Sequence, residues 1–152
     1  MPVVHARVTT DALDPEGLRR LVDSDAAGAV AIFVGQIRNH DPEARGEVTS
    51  IDYSAHPDAD AMIWPIAQRV LDELDPDGEV LVSAEHRIGH LPVGDLAIVV
   101  CASSGHRGLA FDVCEQVVER IKAELPIWKH QTEADGRTVW SNLGLEPATE
   151  AP

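Results

Sequence analysis

Lysine is almost missing from this chain. Of 152 residues only Lys122 and Lys129 are lysines, against ten arginines. Long apolar runs are missing too: none reaches the ~20 residues that a membrane-spanning helix needs, so no span is expected. The opening MPVVHARVTT has no basic start leading into an apolar run, so we expect no secretory signal and a cytoplasmic location. Cysteine occurs twice, as Cys101 and Cys114, each inside an apolar segment. That placement reads as two reduced core thiols, not as a disulfide or redox pair. Basic charge is scarce: 12 basic against 26 acidic residues leave a net charge of -14, which excludes non-specific binding to nucleic acid or to an anionic membrane surface. There is no GxGxxG or Walker loop to cradle a nucleotide. There is no Gly-x-Ser-x-Gly elbow, and Ser103 and Ser104 have no evident triad partner. His86, His90 and His106 lack acid or cysteine neighbours at metal-ligand spacing, and an arginine beside them disfavours a cation. No metal and no cofactor is expected.

What is present concentrates between residues 103 and 129. Ser103-Ser104-Gly105 leads into His106-Arg107 and then an apolar-periodic run. Ala110, Phe111, Cys114, Val117, Val118 and Ile121 recur at steps of three and four, which predicts one face of a helix over 106–124. Pro126 ends it, because its ring cannot continue the helix and the residue before it is pushed towards extended geometry. The two lysines flank that corner, seven residues apart. Unlike arginine, a lysine can lose its proton when desolvated and act as base or nucleophile.

The rest of the chain reads in order. Strands are expected over 3–8, 28–37, 47–54, 79–86, 96–102 and 137–140, with 127–131 extended. The run GAVAIFVGQI predicts a strand buried on both faces. Helices are expected after Asp14-Pro15-Glu16 and from His56-Pro57-Asp58 to about Leu74. Residues 40–46 read as a mobile surface loop, Arg87-Ile88-Gly89-His90 and Pro92-Val93-Gly94-Asp95 as turns, and 146–152 as a frayed tail behind a single domain over 1–145. Paired strands between helices favour a mixed α+β fold over a doubly wound parallel sheet.

Two constellations carry chemistry. Ser103 to Arg107 joins a strand to a helix, so its free N–H groups and Arg107 could seat a phosphate or other oxyanion; an ordinary capped helix with exposed His106 and Arg107 is the competing reading. Lys122 and Lys129 are candidate base, nucleophile or charge pair; two solvated surface lysines are the alternative.

Taken together the motifs resemble one family, the large catalytic subunit of molybdopterin synthase, known as MoaE. The resemblance rests on Gly35-Gln36-Ile37-Arg38-Asn39-His40 after GAVAIFVG, on His86-Arg87-Ile88-Gly89 with Pro92-Val93-Gly94-Asp95, on Ser104-Gly105-His106-Arg107 with Ala110-Phe111, and on Lys122 through Pro126-Ile127-Trp128-Lys129, closing at Trp140. It implies an α/β-hammerhead-type fold with a mixed or antiparallel sheet and a small extra β subdomain. It implies a sulfurtransferase that converts a cyclic pyranopterin monophosphate to molybdopterin by building a dithiolene, a step in molybdenum cofactor biosynthesis. The sulfur would come from the C-terminal Gly-Gly thiocarboxylate of a ubiquitin-like small subunit, in a heterotetramer built on a homodimer. By position, Lys122 and Lys129 match the catalytic lysines, and Arg38, Arg87, His106 and Arg107 the substrate-binding set. The chain departs from the family's usual pattern at Gln36, where lysine is common, at Ser54, where glutamate is usual, and at His130-Gln131, where an acid is common.

One expectation is geometric. Arg107 and Lys122 are 15 residues apart, roughly 22 Å along a helix at ~1.5 Å per residue. A composite site is therefore expected, with Lys122 and Lys129 from one subunit and His106 and Arg107 from its twofold mate. The alternatives are a non-catalytic adaptor that docks a ubiquitin-like tail, and another phosphate-binding enzyme that depends on Lys122.

Overall fold

The strands among the described residues fall into two four-stranded sheets. The computed structural model describes residues 2–42 and 44–142; the expected tail at 146–152 lies outside them. In chain order the elements are β1 (Val3–Thr9), α1 (Pro15–Leu21), β2 (Ala29–Gln36), β3 (Val48–Ala55), α2 (Ala59–Leu74), β4 (Leu81–Arg87), β5 (Gly89–Pro92), β6 (Leu96–Ser104), α3 (Arg107–Glu124), β7 (Ile127–Glu133) and β8 (Thr138–Asn142). The first sheet runs β1-β4-β6-β2 and the second β5-β3-β7-β8. Among the described residues, only the β1–β4 pairing is parallel. The expected mixed α+β fold is what forms.

Strand periodicity decides which residues meet which layer. On β6, Ile98, Val100 and Ala102 face α2 and α3, while Val99 and Cys101 face α1 with Leu13, Leu18 and Val22. Both faces of that strand are covered, which is why its sequence is a near-continuous apolar run. The larger layer joins Ile63, Ile66, Val70 and Leu71 of α2 to Val113, Val117 and Ile121 of α3. α2 continues through Pro65, although a proline there donates no helical hydrogen bond.

The structure corrects two sequence expectations. First, β2 is not buried on both faces. It is an edge strand, and Val30, Ile32 and Val34 stay 38%, 43% and 40% exposed. Ala29, Ala31 and Phe33 pack against the core, but α1, at seven residues, is too short to cover the other face. Second, the turn expected over 87–90 does not form: Arg87 ends β4, and Gly89 and His90 open the strand β5. β5 pairs with β3, and its Leu91 is fully buried. Four residues are too few to display a period of two. Gly89 stands at φ 104°, a conformation that favours glycine, where the chain leaves the first sheet and enters the second.

Two of the motifs are stitched together here. The Pro92–Asp95 turn bonds to the segment after β2, with Ile37 N–H donating to Asp95 O at 2.9 Å and Gly94 N–H donating to Ile37 O at 2.8 Å. The turn thereby sets where β2 stops and where Arg38 begins.

Candidate active site

The corner between α3 and β7 is only two residues long, Leu125-Pro126. It places Lys122 in the last turn of the helix and Lys129 at the third residue of the strand. Both lysines line one cavity of about 340 Å³ at the seam between the two sheets, together with Arg38, His40 and Asp41 and with Phe33, Ile51, Tyr53 and Gln131. β2 and α3 supply one wall, β3 and β7 the other.

Lys122 Nζ lies 5.8 Å from the centroid of the Phe33 ring, a cation–π distance. Lys129 Nζ lies 3.5 Å from Asp41 Oδ2, with both side chains largely shielded, 20% and 15% exposed. The segment read as an open surface loop therefore brings His40 and Asp41 into the cavity. Its far end is held by Glu133, whose buried carboxylate accepts from the N–H groups of Arg45 and Gly46 at 3.0 and 3.1 Å and from Arg137 at 3.0 Å.

Register explains the lining. Tyr53 pairs with Lys129 and Ile51 with Gln131 across β3 and β7, so these four side chains share one face. Beneath Tyr53 the His86 ring meets it edge-on, centroids 5.2 Å apart at 79°. His86 is 2% exposed, and its Nδ1–H donates to Arg87 O at 2.8 Å, which fixes the tautomer. Burial, helped by the positive charge of Lys122, lowers its pKa to about 4, so the imidazole is neutral. Burial also pushes the Tyr53 phenol up to about 12.

Ser54 Oγ and Arg87 Nε are buried without a partner among the described residues, and Gln131 goes further. It is 1% exposed, yet neither amide atom finds a protein partner among the described residues. An unpaired buried amide costs about 1–3 kcal/mol, and native proteins seldom leave one without reason. Gln131→Leu is therefore expected to raise the melting temperature of the free protein by a few degrees; a lower melting temperature would show that the amide is paired after all.

Of the residues singled out in the sequence, the structure brings Lys122, Lys129 and Arg38 together. His106 and Arg107 lie at the other end of α3, where His106 is its N-cap, and both are exposed. Arg87 does not line the cavity: it pairs with Asp95 at 3.2 Å, bracing the turn that positions Ile37. Phe33, Tyr53, Asp41 and Gln131 were not singled out as site residues. Alternation along β7 could have flagged Gln131 beside Lys129; nothing local marks the other three. Both cysteines are buried, and burial raises both thiols, Cys114 to about 11. Among the described residues no three His, Cys, Asp or Glu side chains cluster to hold a metal ion, and no helix is long and apolar enough to cross a membrane.

Comparison with known proteins fits this arrangement. The family model described as MoaE protein matches residues 8–124. The molybdopterin synthase catalytic subunit 1 of Mycobacterium tuberculosis is 33% identical over 133 residues, covering 87% of each chain. The crystal structure of molybdopterin synthase from Staphylococcus aureus superposes with a TM-score of 0.79 at 28% identity, covering 88% of this chain and 94% of that one. A Helicobacter pylori structure, titled as a complex of subunits 1 and 2 of molybdopterin-converting factor, shares the fold with a TM-score of 0.65 at 20% identity, covering 87% of each chain. A two-lysine cavity at a sheet seam, in a chain matched over most of its length, leaves one assignment: this protein is a member of the MoaE family.

Proposed function

We propose that this chain is the catalytic subunit of a molybdopterin synthase. It takes sulfur from the C-terminal thiocarboxylate of a small ubiquitin-like carrier and places it on a cyclic pyranopterin monophosphate, building a dithiolene. The observation that carries this reading is the convergence of Lys122, Lys129 and Arg38 on one cavity whose lining contains no cysteine. Both thiols of the chain are buried and held protonated, so neither is suited to relay sulfur. The sulfur must arrive on another molecule. A cytoplasmic location agrees with two reduced thiols.

The roles follow from chemistry. Arg38 offers a fork of donors to the substrate phosphate. Lys129 orients the thiocarboxylate or accepts its acyl group, and Lys122 moves a proton or polarises the carbon under attack. Arg87 acts at one remove, through Asp95. The test is direct: mix the protein with a thiocarboxylated carrier and the pyranopterin, and look for dithiolene. An intact carrier and unchanged pterin would sink the reading.

His106 and Arg107 enter from a second copy. Support comes from the uncovered edge of β2: Val30, Ile32 and Val34 stay exposed, and Phe111 is 63% exposed beside a groove of about 480 Å³ between β2 and α3. Apolar edges of this kind are ordinarily covered. Phe33 lines both that groove and the lysine cavity, so a copy seated on the groove would adjoin the lysines. A twofold axis there would bring the start of one α3 towards the end of the other. Mixing Lys129→Ala chains with Arg107→Ala chains is then expected to restore activity to about a quarter of wild type, because half of randomly formed dimers hold one intact site. No recovery in mixed dimers would place both residues in one chain's site.

A further inference from the structure

Tyr53 lines the lysine cavity, yet its hydroxyl makes no hydrogen bond to any described residue and is not among the fully buried polar atoms. Its ring is fixed from two sides. β3 pairs it with Lys129, and the edge of His86, itself anchored on Arg87 O, closes the other side. The phenol keeps its proton across the whole working range, because burial pushes its pKa up to about 12. A rigidly held donor with no partner of its own, on the face that carries Lys129, is the kind of group that stabilises charge developing in a reaction.

We propose that Tyr53 is a further catalytic residue of the sulfur transfer, donating a hydrogen bond to the acyl oxygen of the carrier while its carbon–sulfur bond is broken. The proposal rests on the functional reading above. Once the sulfur has bonded to the substrate carbon it is still bonded to the carrier's acyl carbon, as a thioester. Water adds its oxygen to that carbon, and the carbonyl π pair moves onto the acyl oxygen. When the pair returns, the carbon–sulfur bond breaks. The products are a carboxylate on the carrier and a thiolate on the substrate, and the two protons of water pass to solvent. No oxidant or reductant is needed. Tyr53 lends its hydrogen bond without losing its proton. A lysine ammonium attracts anions before and after the step, whereas a neutral phenol gains most while the oxyanion exists.

The variant to make is Tyr53→Phe, assayed as the full chain with thiocarboxylated carrier and cyclic pyranopterin monophosphate. We expect kcat to fall by ~10²–10³-fold, with KM for the pterin and the affinity for the carrier within about twofold of wild type. Mass spectrometry should show a covalent carrier–substrate adduct accumulating. The melting temperature should stay close to wild type, since no protein hydrogen bond is lost. An unchanged kcat without adduct overturns the assignment. So does weakened carrier binding with kcat intact, which would put the hydroxyl in docking. If wild type itself makes no dithiolene, the functional reading fails and this proposal with it, a result seen before any variant is made.

Discussion

Lys129→Ala is expected to lower dithiolene formation by ~10²–10⁴-fold, the range typical of a lost general acid–base or nucleophilic group. The structure says why no neighbour substitutes. Lys122 enters the same cavity from the helix and packs over Phe33, and Arg38 cannot give up its proton. Carrier binding should persist, which separates an enzyme from an adaptor: an adaptor would be indifferent to the change. Lys129→Arg sharpens the result. It keeps the charge beside Asp41 but has no accessible neutral form, so activity should stay low if the amine acts as base or nucleophile. Full rescue by arginine would reduce Lys129 to an electrostatic role. Melting temperatures serve as the control: loss of the shielded pair with Asp41 should lower the melting temperature while leaving the chain folded under assay conditions, so that the activity loss belongs to the amine.

Acid should loosen this protein through His86. In the folded chain its pKa is lowered to about 4, below an ordinary value of 6.5, because the ring is buried among apolar neighbours and near Lys122. Between pH 6.5 and 4 the unfolded chain therefore binds a proton that the folded chain refuses. Stability should rise with pH across that window and level off above 6.5. The gap between the two values corresponds to on the order of 3 kcal/mol, lost as pH falls to about 4. Urea midpoints at several pH values measure it. Other histidines and carboxylates contribute to the wild-type slope, so the decisive comparison is His86→Gln, which keeps an N–H donor and should give a flatter curve. Equal slopes would mean that His86 is not the group responsible. Because His86 braces Tyr53, loss of activity on acidification should accompany the loss of stability.

The sequence made α3 and its corner legible because two independent signals agreed there, a 3.6-residue apolar period and a proline that stops it. The lysines were conspicuous for the same reason that they are informative, since arginine carries positive charge everywhere else. β2 misled, because an edge strand with apolar residues on both faces reads like a central one. Whether a face is covered depends on the length of α1, which is not written in GAVAIFVG. β5 was hidden by its brevity. Tyr53 and Gln131 escaped notice because their importance lies in what they fail to bond, and only coordinates reveal that. The His-Arg-Ile-Gly motif was seen but its use was not: His86 braces the site from inside, Arg87 holds the Asp95 turn, and Gly89 bends the chain between sheets.

The two-residue link between α3 and β7 has a consequence for how this site can vary. Facing along β7 alternates strictly, so parity counted from Glu124 decides which side chains see the cavity. A one-residue slip of β7 along β3, of the kind an extra residue in so short a link would force, would turn Lys129 and Gln131 outward and present Trp128 and His130 instead. A joint of two residues has no slack to absorb a change in length, whereas the longer β2–β3 connection, residues 37–47, can change length away from the stretch that carries Ile37, Arg38, His40 and Asp41 into the cavity.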